Sequence, residues 1–184
     1  MGKNGFGLFS FSVFMLLVIC SGVYGQAPPE FVEVGEEAEE ISFENILVAV
    51  NCGTGTYEVR DVTFRAWNDV SLDAVCTRSF SNLMAPSWNG AWVSPFTSAD
   101  LEYLDEVYKS IGYWDQPMWI EFTGLNPDGM YKIQVLFTAS QTNNWDHGGS
   151  LRVIGADDTM AASNFHLNTF ANGIPFVVTI EDIE

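Results

Sequence analysis

Along most of the chain, apolar and polar residues alternate with a period of two. In 45–51, Ile46, Val48 and Val50 share one face; in 62–67, Val62, Phe64 and Ala66 share one face while Thr63, Arg65 and Trp67 share the other. Met118, Ile120 and Phe122 alternate with Trp119 and Glu121, and Tyr131, Ile133, Val135 and Phe137 alternate with Lys132, Gln134, Leu136 and Thr138. Residues 151–154 and 174–180 are two further apolar, β-branched runs. This alternation predicts strands with one face on a core. The stretch Leu125-Asn126-Pro127-Asp128-Gly129 joins two of them with turn chemistry. One short helix interrupts the pattern near residues 98–111. Thr97 and Asp100 read as a capping box, Leu101, Leu104, Tyr108 and Ile111 share a face, and Gly112 stands where a helix would end. Six or more short strands with a single helix predict a mainly β chain, an antiparallel β-sandwich.

The first 25 residues break the alternation. Lys3 supplies a basic start, Phe6 to Cys20 is mostly apolar, and Val23 and Gly25 are small enough for the −3 and −1 positions of a cleavage site. This reads as a secretory signal peptide over 1–25, cleaved after Gly25. The rival is a single membrane anchor, for which the apolar run is short and lacks a stop-transfer pattern. The expected mature protein is extracellular and, with the leader gone, has no membrane partner. Residues 26–40 follow, with Pro28, Pro29 and six glutamates (Glu30, Glu33, Glu36, Glu37, Glu39 and Glu40), and read as an acidic flexible linker. A folded domain is expected over 41–184.

Charge and cysteine usage narrow the partners. The chain carries 7 basic and 24 acidic residues, a net charge of −17 that becomes −18 without Lys3. Such a surface repels phosphate backbones and anionic membranes, which sets nucleic acid aside and leaves calcium, basic proteins and mineral surfaces as possible partners. Cys20 leaves with the leader. Cys52 and Cys76 remain, with 23 residues between them, and in an oxidising compartment the default is one disulfide, worth roughly 3 kcal/mol in the chain-entropy model. The rivals are two thiols or a metal pair, and for the latter only His147 and His166 could add soft ligands. No Asn-x-Ser/Thr sequon occurs.

The chemistry-bearing residues suggest binding rather than turnover. Six tryptophans, Trp67, Trp88, Trp92, Trp114, Trp119 and Trp145, all follow the leader. Some must be core, because large rings dominate β interiors. Others lie in segments without strand period: 88–92, Tyr113-Trp114-Asp115-Gln116, and the polar, glycine-rich 142–149 that holds Trp145 and Asp146. Flat rings beside Asn, Asp and Gln suit a sugar, whose apolar face stacks while its hydroxyls are hydrogen-bonded. The plainer reading is that these rings anchor loops. No nucleophile elbow, His-Glu-x-x-His or phosphate loop occurs. A glycoside hydrolase would need only a carboxylate pair, but no enzyme is expected. No cofactor is expected either, beyond a structural calcium at Asp157-Asp158 or 181–184, neither of which has EF-hand spacing.

Taken together, these segments resemble malectin and the malectin-like carbohydrate-binding domains. Ala49-Val50-Asn51-Cys52-Gly53 is similar to the family's opening strand, and 62–69 to its second element, an aromatic strand ending in an acid. The fullest match is 107–113 followed by 119–137, where a tyrosine segment leads into paired strands around a proline-and-glycine turn; 151–155 resembles the next strand. The resemblance spans most of 46–180. It implies a galactose-binding-type, jelly-roll sandwich whose loops at one end hold a sugar on a carbohydrate or glycoprotein partner. By position, Trp67, Asp69, Tyr113 and Trp114 fall where the family places its binding residues. The chain departs from the family at Ile111-Gly112, where an Arg is usual, at Thr138-Ala139, where an acid is frequent, and after Ile180, where one more strand would make the domain complete. The resemblance therefore predicts a secreted, non-catalytic carbohydrate-binding module. The alternative is an acidic structural protein of an extracellular, mineralised matrix that binds cations through the 26–40 segment.

Overall fold

The computed structural model describes residues 15–20, 31–79, 82–84, 94–113, 119–138, 148–155, 158–166 and 174–183. The fold is mainly β, as the alternation predicts. The larger sheet contains β1 (Met15–Cys20), β2 (Phe31–Glu33), β3 (Ile46–Asn51), β4 (Tyr57–Val59), β5 (Val62–Ala66), β10 (Tyr131–Thr138) and β13 (Pro175–Ile183), in the order β2-β13-β10-β1-β3-β5-β4. Three two-stranded ribbons pair β6 (Cys76–Arg78) with β9 (Ile120–Phe122), β7 (Asn82–Met84) with β8 (Ile111–Tyr113), and β11 (Gly148–Gly155) with β12 (Asp158–His166). Among the described residues, every pairing is antiparallel except that of β3 with β5, which runs parallel with Ala49 opposite Phe64. The sheet is therefore mixed rather than purely antiparallel.

Both faces of the large sheet are covered. On one face Ala49, Phe64, Leu136 and Val177 form a cluster with Leu101, Leu104, Val107 and Tyr108 of the helical segment and with Val34, Ala38 and Ile41. On the other face Ile133, Val135, Val178 and Ile180 pack with Phe31, Val48 and Phe122. A third cluster, Val50, Cys52, Trp67, Leu72 and Cys76, joins the β6–β9 ribbon to this second face. Double coverage explains why 133–137 is buried at every position although its sequence alternates. Such a strand needs near-continuous apolar character, and Gln134 is its one polar exception.

The apolar run expected to form a leader takes the same logic. The segment Met-Leu-Leu-Val-Ile-Cys forms β1, antiparallel both to β10 (Leu17 opposite Gln134) and to β3 (Leu17 opposite Ala49). A six-residue apolar run satisfies a doubly covered strand as well as it satisfies a signal core, and periodicity cannot separate the two. The expected division at residue 25 does not coincide with a boundary of the sheet.

The acidic segment is a correction. A solvated linker was expected through residue 40, yet 31–41 is folded onto the sheet. Strand β2 pairs with β13, and the Val34 amide donates to the Pro175 carbonyl at 2.9 Å. Turn bonds from the Ala38 amide to the Gly35 carbonyl and from the Ile41 amide to the Ala38 carbonyl wind the chain on, with Val34, Ala38 and Ile41 buried. The apolar residues are spaced between the glutamates so that one side of the segment packs while Glu36, Glu37 and Glu39 stay in water, a pattern that charge density alone does not reveal. Residues 26–30 lie outside the described residues.

The helix is also shorter than predicted. A 3-10 turn, Ala99–Leu101, precedes α1 (Leu104–Lys109). Ser98, not Thr97, is the N-cap residue, and its hydroxyl donates to the Asp100 carboxylate rather than capping the backbone. Leu101, Leu104 and Tyr108 are buried as expected. Ser110 ends α1, its hydroxyl donating to the Glu106 carbonyl at 2.7 Å, so Ile111 and Gly112 belong to β8 instead. Between β4 and β5, Arg60 and Asp61 both have positive φ (46° and 65°), the backbone of a tight hairpin turn.

Candidate ligand-binding face

Of the residues expected to bind a ligand, Trp67, Asp69 and Tyr113 lie among the described residues. Trp67 is only 8 % exposed and belongs to the cluster under the β6–β9 ribbon. Its indole N–H donates to the Ser79 carbonyl at 3.2 Å. This corrects its expected place on the solvent side of β5: that strand ends at Ala66, and the bond from the Trp67 amide to the Gly53 carbonyl turns the ring inward. Asp69 is a local organiser. It caps the 3-10 turn Val70–Ala74, its Oδ1 accepting from the Ser71 amide at 2.8 Å, while Oδ2 lies 3.7 Å from Arg65. Ser71, through its hydroxyl and then its amide, holds the Asp69 carboxyl below the ordinary carboxylate value. Tyr113 lies in β8, opposite Asn82 of β7. Trp114, Trp145 and Asp146 lie outside the described residues.

Cys52 and Cys76 are both buried in the third cluster and are not joined to one another. The expected disulfide is thus not formed in this structure. The Arg78 guanidinium donates to Cys76 Sγ at 3.5 Å, to Asp73 Oδ1 at 2.6 Å and to the Asp69 carbonyl at 3.4 Å. Burial pushes the Cys76 thiol up, against the pull of that guanidinium. A protonated thiol in an apolar cluster behaves as a small core residue.

What the β6–β9 ribbon presents to solvent is a ring. In register, Cys76 faces Phe122, Thr77 faces Glu121 and Arg78 faces Ile120. The Ser79 amide donates to the Trp119 carbonyl and the Trp119 amide to Ser79 Oγ, both at 3.0 Å, extending the ladder by one more pair. Side chains two apart on a strand share a face. Cys76 and Phe122 turn inward with Ile120 half-buried, so Trp119 and Glu121 emerge together with Thr77. Trp119 is 51 % exposed, and the Thr77 hydroxyl donates to Glu121 Oε2 at 3.2 Å, fixing that carboxylate. An indole, a hydroxyl and a carboxylate therefore stand side by side on a hydrogen-bonded ribbon.

This arrangement can stack a flat apolar surface and accept hydrogen bonds beside it. The nearest cation of the ribbon, Arg78, is only 10 % exposed and is paired with Asp73, so the face is acidic. The other large exposed ring near the helix, Tyr103, is stacked on Tyr57 with centroids 6.2 Å apart, which occupies one of its faces. Among the described residues no three His, Cys, Asp or Glu side chains converge to hold a metal ion, and no helix is long and apolar enough to cross a membrane. The alternation did place Trp119 on a polar face. An alternating strand gives no local sign that a ring on its polar face stands half-exposed, whereas segments without strand period do suggest open loops. Comparison with protein-family models, with curated proteins and with solved structures gave no match.

Proposed function

We propose that this chain is a secreted, non-catalytic carbohydrate-binding module, with a galactose-binding-type sandwich as its frame. The observation that carries the reading is Trp119, a half-exposed indole flanked on its own face by Glu121 and by the Thr77 hydroxyl. Ring stacking would supply contact area, and the carboxylate and hydroxyl would select hydroxyl pattern. Tyr113, Trp114, Trp145 and Asp146 are proposed as further contributors to sugar binding. Glycan-array binding by the protein recovered from culture medium tests the reading. Retained binding in both Trp119→Ala and Glu121→Gln would remove this face from consideration, and absence of any glycan signal from the parent would remove the function.

A second reading is favoured by the docking of the acidic segment. Glu36, Glu37 and Glu39 are exposed on backbone that is itself packed, so their charges are held in place rather than dispersed in a mobile tail. An acidic protein of a mineralised matrix would use them to gather cations. Calcium titration of the parent against a variant with all three changed to glutamine distinguishes it: equal calcium uptake would dismiss this alternative.

A further inference from the structure

The central position of β1 has a consequence for the secreted chain. Strand β1 is bonded on one side to β10, over Met15 to Cys20 opposite Leu136 to Tyr131, and on the other to β3, over Leu16 to Ile19 opposite Val50 to Ile46. Resting on the cleavage proposed above, we infer that loss of the leader opens a slot one strand wide between β3 and β10, and that this slot binds an extended apolar segment of another polypeptide by main-chain pairing. Both flanking strands run antiparallel to β1, and so parallel to each other. The gap between them would be two strand spacings, about 9.6 Å.

The occupant's chemistry is set by what flanks the slot. On one side stand Ile133, Gln134, Val135 and Leu136, on the other Ala49 and Val50, all buried. The sheet is covered on one face here by Leu101, Leu104 and Tyr108, and on the other its own Ile133, Val135, Val178 and Ile180 pack with Phe122 of the β6–β9 ribbon. A charged side chain on either face of an inserted strand would lie in apolar surroundings without a partner. The fitting segment is therefore about six residues, uncharged and free of proline, entering antiparallel to β10. The leader's own Met-Leu-Leu-Val-Ile-Cys meets each requirement and shows the register such a guest would adopt. Gln134, opposite Leu17, keeps its amide for Ser42, Glu40 and Thr179, so it makes no polar demand on the guest.

The test uses the protein secreted by expressing cells and a synthetic peptide spanning residues 13–22. Mass spectrometry of the intact chain first establishes its N-terminus. Hydrogen exchange then follows amides in 46–51 and 131–136 with and without peptide. The expected result is a chain starting at Gln26, with fast exchange in both segments and at least tenfold slowing of each on 1:1 peptide binding. A Leu17→Pro peptide should leave both unchanged. Full protection of both segments without peptide would mean that β3 and β10 have closed on each other, and overturns the slot; so does a folded, cleaved chain that ignores the peptide. A secreted chain still carrying Met15–Cys20 overturns the inference by a separate route, through the cleavage reading, and the measured mass tells the two failures apart.

Discussion

The Gln134 side chain donates from Nε2 to the Glu40 carbonyl at 2.9 Å, tying β10 to the acidic segment. The same amide group donates to Thr179 Oγ1 at 2.9 Å and accepts from the Ser42 backbone at 2.8 Å. Gln134 is 2 % exposed, so these bonds form out of reach of bulk water. They replace solvent for two backbone groups that would otherwise be unpaired, and they explain how a glutamate-rich stretch is held against its own repulsion.

Replacing Gln134 with leucine should lower stability by roughly 2–4 kcal/mol, because it strands the Ser42 amide and the Glu40 carbonyl. Urea unfolding measures the loss. Glutamate-specific proteolysis should at the same time accelerate at Glu36 to Glu40; an unchanged cleavage rate would mean that the apolar contacts of Val34, Ala38 and Ile41 hold the segment alone.

Two tryptophans should respond in opposite ways. Trp67→Ala removes a buried ring with a satisfied N–H and should cost about 3–5 kcal/mol. Trp119→Ala removes an exposed ring and should shift the melt by little while diminishing glycan binding. Thermal scans of both variants check the contrast, and a large melting loss in Trp119→Ala would place that ring in the core.

The hairpin turn at Arg60-Asp61 gives a backbone prediction. Asp61 sits at φ 65° in the left-handed region with its side chain in water. Asp61→Gly should be neutral or stabilising, whereas Asp61→Val should cost about 1–2 kcal/mol, the penalty of a branched Cβ in that conformation. Matched denaturant midpoints would show that the turn is not held as described.

Acid should weaken the fold through two capped carboxyls. Asp69 is held low by Ser71, and Asp100 by the Ser98 hydroxyl and by Arg60, whose Nε lies 2.6 Å from Asp100 Oδ2. Both folded values lie below the unfolded value of about 3.9, so their contribution is intact above that pH and disappears as pH falls through the folded value. Asp100→Asn should therefore be less stable than the parent at pH 7, and the difference should shrink towards pH 2. Urea midpoints at the two pH values test this, and a constant difference would contradict the titration.

Cys76 should resist native alkylation. Its thiol is buried and pushed up by that burial. Iodoacetamide should label Cys52 and Cys76 only after unfolding; if no thiol is released by unfolding without reductant, the two are bridged in the native protein.

Strand identity was legible where one face of a strand meets water. Val62, Phe64 and Ala66 turn inward and Thr63 and Arg65 outward, as their alternation predicts, and the 126–129 turn forms with the Gly129 amide donating to the Asn126 carbonyl at 2.9 Å. It was not legible where tertiary packing overrides local pattern. Trp67 reverses its face because the strand stops one residue earlier, and 31–41 packs despite its charge because Gln134 and Arg60, far away in sequence, bond to its backbone. The Arg60 guanidinium donates to the Glu37 carbonyl at 3.1 Å and lies 5.2 Å from the centre of the Phe43 ring, contacts that no local window contains. Of the residues expected to bind a ligand, Trp67 and Asp69 serve the scaffold instead, and the exposed ring that emerged, Trp119, was hidden in an ordinary alternating strand.

The pairing of β2 with β13 also governs how the molecule is made. Glu33 lies opposite Phe176, and Tyr131 opposite Ile183, so segments far apart in sequence meet on the two sides of β13. A nascent chain can wind α1 and close the β4–β5 hairpin before residue 175 is made, but β10 gains β13 as a neighbour only after residues 175–183 have left the exit tunnel. Until then Val135 and Leu136 are open along one side, and that interval is when the polypeptide is most prone to stick to its neighbours.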